Sequence, residues 1–147
     1  NKSLQNLDLY HNAIQAEGAS RFADALKINK SLQNLNLSQN DIGDTGAIAV
    51  GKSLETNTSL TDLNLSYNFI KDDGAISIGN ALNHNTTLQV LNLGANKIGN
   101  KGANRIADAL KNNNSLQNLN LTGNIIGNNG AVAIGTAILK NKKCAPV

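Results

Sequence analysis

The 147-residue sequence contains few of the residues on which several classes of protein depend. A single cysteine, Cys144, cannot form an internal disulfide, so folding does not rely on oxidation. Aromatic residues make up only 3% of the chain, which argues against a stacking platform for single-stranded nucleic acid. No apolar run reaches the length of a membrane-spanning helix, so we expect no membrane partner.

Charge is also sparse. Thirteen Lys and Arg against ten Asp and Glu give a net charge of +3, and charged residues make up 16% of the chain. A balance this weak, scattered along the chain, does not predict binding to nucleic acid or to an anionic lipid surface.

One pattern, by contrast, returns every 28 residues from one end of the chain to the other. The second copy reads LQNLNLSQNDI and the fifth reads LQNLNLTGNII. The first leucines of the five copies are Leu4, Leu32, Leu60, Leu88 and Leu116. A fixed period of this length is typical of a solenoid. We expect residues 1–147 to form a single repeat domain, with a C-terminal tail over residues 142–147.

Each copy predicts a strand followed by a helix. Leu35 and Leu37 alternate with polar residues, as in a short strand with one buried face. Ala47, Val50 and Leu54 share one face of a helix. Strands lie about 4.8 Å apart and helices are about 10 Å across, so stacked copies curve. This predicts a parallel sheet on the concave side and helices on the convex side.

Two columns of asparagine recur with the same period. The first column follows the strands, where we predict a buried ladder that bonds backbone groups freed by the turn. Its members are Asn12, Asn40, Asn68, Asn96 and Asn124. The second column ends the helices, where we expect the left-handed conformation that asparagine tolerates. Its members are Asn29, Asn57, Asn85, Asn113 and Asn141.

The motif L-x-x-L-x-L-x-x-N, followed by I-x-x-x-G-A at a period of 28, resembles the leucine-rich repeat of the ribonuclease-inhibitor type. The resemblance covers residues 3 to about 141. It implies an α/β leucine-rich-repeat solenoid, a right-handed βα horseshoe segment of five repeats. Proteins of that family, which include inhibitors, innate-immune receptors, GTPase-activating proteins and bacterial effectors, usually bind other proteins on the concave face and the strand-exit rim.

Two motif matches have simpler explanations than function. Residues 46–53 read GAIAVGKS, as in a phosphate-binding loop. The repeat places them inside a helix whose amides are already bonded, so we expect no nucleotide site. Residues 144–147 match a prenylation box loosely, but proline in its third place is unfavourable, and we expect a frayed polar tail.

The sequence offers no catalytic constellation. His11, His84 and Cys144 fall far apart in the predicted fold and have no partners at metal-ligand spacing. We therefore expect no enzyme activity, cofactor or metal, and look for binding at positions that differ between copies. Three of the four aromatic residues fall on the predicted strand-exit rim, where tyrosine is typical of binding hot spots. The candidate partner-binding residues are Asp8, Tyr10, His11, Asn36, Gln39, Asp62, Asn64, Tyr67 and Phe69.

These observations favour a non-enzymatic scaffold that binds a protein through its concave face and strand-exit rim. The alternative is a regulatory segment, GTPase-activating-like or part of a receptor or effector, in a larger leucine-rich-repeat protein. A start in mid-repeat without methionine leads us to expect a fragment or a trimmed product, whose uncapped ends would allow self-association. We expect an intracellular, cytoplasmic protein, because glycans on its Asn-x-Ser/Thr triplets would crowd the concave face; action after delivery into another cell stays open.

Overall fold

The computed structural model describes residues 1–141, in which strands and helices alternate along the chain. The strands are β1 (Asn6–Asp8), β2 (Asn34–Asn36), β3 (Asp62–Asn64), β4 (Val90–Asn92) and β5 (Asn118–Asn120). The helices are α1 (Gln15–Ile28), α2 (Gly43–Leu54), α3 (Asp72–Leu82), α4 (Asn100–Leu110) and α5 (Asn128–Lys140). Each strand and the helix that follows it form one repeat. None of these helices is long and apolar enough to cross a bilayer.

The five strands form one parallel sheet in chain order. Leu35 pairs with Leu7 on one side and with Leu63 on the other, each 28 residues away. The register continues to β5 without a slip, so that each column of the repeat becomes a row across the sheet. The predicted parallel sheet with one strand per repeat is confirmed.

Neighbouring helices pack against each other in the same order as the strands. The recurring glycine near each helix start makes this packing close. A Cβ on Gly74 would lie 2.8 Å from the Cβ of Ala47, and one on Gly102 would lie 2.8 Å from the Cβ of Ala75. Carbon atoms of side chains do not approach so closely, so any larger residue would push the helices apart.

The core lies between the sheet and the helices. Leu63 and Leu65 from repeat 3 and Ile78 from α3 are completely buried. Their counterparts in the outer repeats are less covered, and Leu7 and Leu119 are only partly buried. Apolar burial therefore comes from neighbouring repeats as much as from the repeat itself, as expected for a solenoid.

The segment that resembles a phosphate-binding loop, residues 46–53, lies wholly within α2. A Cβ on Gly51 would lie 2.9 Å from the carbonyl carbon of Ser77 on α3, so this glycine serves helix packing. Lys52 points to solvent. The backbone amides of the segment are occupied by the helix, and the phosphate-loop interpretation fails for that reason. The tail over residues 142–147, including the loose prenylation match, lies outside the described residues.

The predicted conformation of the second asparagine column is wrong. Asn29 and Asn141 have extended backbones with φ of −73° and −71°, and no member of the column within residues 1–141 has a positive φ. The helices also end earlier than expected in the central repeats, for example at Leu54 in α2. A left-handed residue is unnecessary here because the asparagine side chain itself satisfies the turn.

Asn57 shows how this second column works. Its Oδ1 accepts the N–H of Leu60 at 2.8 Å, while its Nδ2 donates to the carbonyl of Leu26 in the preceding repeat at 2.7 Å. Asn85 and Asn113 make the same bonds. We call this column the helix-exit ladder. Its hydrogen bonds join the end of each helix to the turn that follows the helix of the next repeat.

The first asparagine column forms a second set of bonds, here called the strand-exit ladder. Asn68 is completely buried, and its Oδ1 accepts the N–H groups of Asn40 at 2.9 Å and Ile42 at 3.3 Å. Its Nδ2 donates to the carbonyls of Leu37 at 2.9 Å and Ser66 at 3.2 Å. One side chain thus bonds four backbone groups in two adjacent repeats. Buried backbone N–H and C=O groups need such hydrogen-bond partners.

Replacing Asn68 with alanine would leave the N–H groups of Asn40 and Ile42 without a partner, whereas the carbonyls of Leu37 and Ser66 keep the side chain of Asn40 and the N–H of Gln39 as donors. Each buried amide left unpaired costs about 1–3 kcal/mol, so Asn68→Ala should lower the free energy of unfolding by at least about 2 kcal/mol. Urea denaturation followed by circular dichroism measures the change. The matched control is Asn12→Ala, because Asn12 is exposed and its side chain donates only to the carbonyl of Tyr10. Equal losses in both variants would contradict the ladder's role.

Candidate functional site

The strand-exit rim is the edge of the molecule where each strand passes into the turn before its helix. In repeats 1–3 this rim carries an open groove of about 550 Å³, here called the rim groove. Its lining residues are His11, Asn12, Ala13, Gln39, Asp41, Tyr67 and Phe69. Four of the nine residues predicted to bind a partner therefore come together in one place.

The aromatic side chains of this rim are strongly exposed. Tyr67 is 58% exposed and Phe69 is 54% exposed, while Tyr10, also 54% exposed, has its ring 5.8 Å from that of His11. Large exposed rings with few rotatable bonds are the usual anchors of protein interfaces. The rim groove thus has the composition of a binding surface.

A lysine of repeat 4 lies over one of the aromatic rings of the rim groove. The Nζ of Lys97 lies 5.0 Å from the centroid of the Phe69 ring, within the range of a cation–π contact. Lys97 follows Phe69 by 28 residues, so the two residues occupy the same position in adjacent repeats. The repeat pattern by itself did not predict that they touch.

The groove residues stand on an unusual backbone. His11, Gln39 and Tyr67 have φ of 57°, 54° and 55°, and the same position is also left-handed at Ala95 and Gly123. This conformation costs about 1–2 kcal/mol for any residue with a Cβ. Since it recurs in all five repeats, the turn imposes it. Large side chains kept at such a position in repeats 1–3 favour a role in binding.

A second left-handed position separates the first three repeats from the last two. Positive φ occurs at Ala13, Asp41 and Phe69. Lys97, the corresponding residue of repeat 4, instead donates its N–H to the carbonyl of Ile70 at 2.7 Å. Ile125 in repeat 5 makes the equivalent bond to the carbonyl of Ile98 at 3.0 Å. The loops of the rim groove therefore differ in conformation from those that follow.

A third row of side chains bonds the start of the helix in the next repeat. The Oδ1 of Asp44 in α2 accepts hydrogen bonds from the N–H groups of Lys71 at 2.8 Å and Gly74 at 2.9 Å. Asp44 thereby caps the start of α3, the helix of the next repeat. Asp72 caps α4 in the same way, and Asn100 caps α5. Capping by an acceptor at a helix start satisfies amides that the helix cannot. None of the five helices is capped by the side chain of its own N-cap residue.

Repeat 1 interrupts this row. It has Ala16 where later repeats have Asp44, Asp72 and Asn100, and a methyl group accepts no hydrogen bond. The loop before α2 consequently takes another form, in which Gly43 is left-handed, with φ of 60°, and donates its N–H to the carbonyl of Asn68 at 2.8 Å. We infer that the missing acceptor at Ala16 sets the left-handed conformation of Gly43, because Lys71 at the same position before the capped helix α3 has a φ of −107°.

The predicted residues of the concave face hold turns. The Oδ1 of Asn64 accepts the N–H of Ser66 at 3.0 Å and its hydroxyl at 2.8 Å, and Asn36 makes the equivalent pair. Asp8 accepts the N–H two residues further on at 2.9 Å. Such bonds are typical of turn-forming Asn and Asp. These side chains were predicted from the sequence to bind a partner, and their role in the turns was not predicted.

A shallow groove of about 420 Å³ runs over the strands beside the rim, here called the concave groove. It is lined by Asn6, Leu7, Asp8, Asn34, Leu35, Asn36, Asp62 and Asn64. Together the two grooves contain all the predicted binding residues except Tyr10, whose ring neighbours His11. Asp41, Asn12 and Ala13 are lining residues that were not selected from the sequence as partner-binding.

The described residues contain little that suggests chemistry. Within residues 1–141, no three His, Cys, Asp or Glu side chains gather as ligands for a metal ion. His11 lies in the first rim turn and His84 follows α3, while Cys144 lies outside the described residues.

A stack of strand–helix units with a parallel sheet and buried asparagine rows defines an α/β solenoid. The family model described as Leucine Rich repeat matches residues 1–23, 29–51, 56–79, 84–107 and 112–135. The chain belongs to the leucine-rich repeat family, as its strand motif indicated.

Two solved structures share the fold over nearly the whole chain. The leiomodin-1 domain described as actin-binding site 2 has a TM-score of 0.77 and 24% identity, and the match covers 97% of this chain and 83% of that one. The tropomodulin C-terminal domain of Caenorhabditis elegans has a TM-score of 0.80 and 16% identity, with 97% and 87% covered. No curated protein sequence matches significantly. Identities this low establish the fold alone.

The capping role of Asp44 is testable by two substitutions. Asp44→Ala removes the acceptor for Lys71 and Gly74 and should lower the free energy of unfolding by about 1–2 kcal/mol in urea. Asp44→Asn keeps an Oδ1 acceptor, as Asn100 does naturally at the start of α5, and should retain most of the stability. If both variants lose the same amount, charge and not the hydrogen bond maintains the cap.

The converse substitution is Ala16→Asp, which supplies the missing acceptor to α2. We expect the free energy of unfolding to rise by about 1 kcal/mol and the loop at Gly43 to leave its left-handed conformation. Urea denaturation measures the first effect, and the amide and Cα chemical shifts of Gly43 report the second. Unchanged shifts at Gly43 would show that Ala16 does not set this loop.

Proposed function

We propose that this chain is a non-enzymatic module that binds a protein partner through the rim groove and the adjoining concave groove. The observation that carries the proposal is the pair Tyr67 and Phe69, each more than half exposed on a left-handed backbone beside an open groove. Exposed aromatic rings held in a costly conformation favour selection for contact over chance surface exposure.

The framework behind the grooves supports this proposal. Both asparagine ladders bond backbone groups of adjacent repeats, and Asn40 and Asn68 do so fully buried beneath the rim. A surface supported in this way loses little conformational freedom when a partner binds, so contact energy is retained as affinity. The same rigidity suits a scaffold.

Among possible partners we place actin first, because a domain of similar fold is described as an actin-binding site. An actin partner also agrees with the intracellular location expected from the sequence. The regulatory, GTPase-activating-like alternative stays a prediction of the sequence, since no residue between 1 and 141 is singled out for it.

The double variant Tyr67→Ala/Phe69→Ala tests the groove. Alanine occupies the corresponding positions in other repeats, at Ala95 and Ala13, so the backbone should be unchanged. Loss of two aromatic anchors should weaken binding to actin at least about tenfold, measured by co-sedimentation with filaments and by anisotropy with monomers. The control is Val132→Ala, which removes an exposed apolar side chain from α5.

The outcomes separate the partner from the site. If the unsubstituted chain binds neither form of actin, actin is rejected as the partner. If the chain binds actin and the double variant binds equally well, the rim groove is rejected as the site. An equal loss in Val132→Ala would show that the effect is not specific to the groove.

A further inference from the structure

The carboxylates are the charged groups among the residues that line the two grooves, and one cation, Lys97, lies over the ring of Phe69. Three carboxylates, those of Asp8, Asp41 and Asp62, are among the lining residues, and neither lining contains a lysine or an arginine. The chain as a whole carries a net charge of +3. The grooves are therefore acidic on a molecule that is otherwise basic, and this local excess is available for recognition.

Within residues 1–141 these carboxylates are largely unengaged. Asp41 and Asp62 form no side-chain hydrogen bond or ion pair there, and Asp8 uses one oxygen to accept the N–H of Tyr10 at 2.9 Å. Of the other seven acidic side chains of the described chain, four are occupied by a lysine or by a helix start. These four are Asp24, Asp108, Asp44 and Asp72. The groove carboxylates can thus accept a cation without giving up a partner within the described chain.

The sheet sets the separation of two of these groups. Asp8 lies in β1 and Asp62 in β3, two strands apart and offset by two residues along the strands, which corresponds to about 12 Å. Asp41 lies beyond the end of β2, beside the aromatic rings of the rim groove. An extended chain advances about 3.3 Å per residue, so basic residues about three or four positions apart would span Asp8 and Asp62.

The rim also shows that its aromatic rings accept cations. The ammonium group of Lys97 already lies over the ring of Phe69 at 5.0 Å. An aromatic ring can make a cation–π contact with lysine or arginine, and it can also pack against an apolar side chain. A segment that is both basic and apolar therefore complements the two grooves together, whereas an acidic segment or a nucleic acid would meet like charge.

We propose that the rim groove and the concave groove bind an extended, basic segment of a partner protein. Its lysine or arginine side chains pair with Asp8, Asp41 and Asp62, and an apolar side chain packs against Tyr67 and Phe69. This inference rests on the proposed function and specifies the chemistry of the segment that the site accepts.

The first test uses random decapeptides displayed on phage, selected against the intact chain. Enriched peptides should carry two or more lysines or arginines together with an aromatic or aliphatic residue. Selection of acidic or uncharged peptides would overturn the proposal, and so would a failure to enrich any family of peptides.

The second test measures the most enriched peptide, synthesised with a fluorophore, by anisotropy. Asp41→Asn/Asp62→Asn should weaken its binding about three- to tenfold, since two exposed ion pairs are lost. Raising the salt concentration should weaken binding to the unsubstituted chain more than to the variant. Both substitutions are conservative, because asparagine tolerates the left-handed backbone at Asp41 and occurs at the position of Asp62 in other repeats.

A matched control removes the same two charges elsewhere. The double variant Glu17→Gln/Glu55→Gln changes exposed residues in α1 and after α2, outside both grooves, and should leave peptide binding unchanged. If this control weakens binding as much as Asp41→Asn/Asp62→Asn does, only net charge matters and the proposal fails.

The aromatic variant distinguishes this inference from the proposed function. If Tyr67→Ala/Phe69→Ala abolishes peptide binding while Asp41→Asn/Asp62→Asn has no effect, the grooves bind a partner without basic residues and only the inference falls. If neither variant changes binding, the proposed function falls with it.

Discussion

Hydrogen bonds between side-chain amides and the backbone of the neighbouring repeat are the interaction on which this structure depends. A chain that turns twice in every 28 residues buries many backbone groups that neither strand nor helix can satisfy. Asn68 at the strand exit and Asn57 at the helix exit each bond two adjacent repeats. In the described chain no buried side-chain nitrogen or oxygen lacks a partner. The repeats consequently stabilise one another and share one architecture.

The same framework explains why binding is concentrated at the rim. At the positions of the ladder asparagines and the packing glycines, few other residue types would fit. Side chains at the exposed turns of the rim lie outside the core, so their identity can differ between repeats. The capping row also varies, because Ala16 lacks the acceptor that Asp44 supplies in the next repeat, and Gly43 before α2 is left-handed.

The fold was largely predictable from the residues because every column reports its environment five times. Leu35 and Leu37, the ladder position of Asn68 and the packing glycine at Gly46 all follow from period and chemistry. The helix-exit asparagines were misread, since helix propensity describes the backbone and says nothing of a side chain that reaches the previous repeat. Asp44 was missed for a related reason, as cap rules consider the helix on which a residue lies. For the candidate site, exposed aromatics were found by subtracting the repeat, but Asp41 was not selected.

The sequence by itself determined the 28-residue unit, its strand and helix, the apolar core positions and the family to which the chain belongs. Periodicity conveys these because each is a property of one repeat or of identical neighbours. Only the tertiary structure decided that Asp44 caps α3, that Lys97 covers Phe69 and that three acidic side chains share two adjoining grooves. Those contacts depend on how far one repeat is displaced and rotated against the next, which is set by the packing of whole helices and strands.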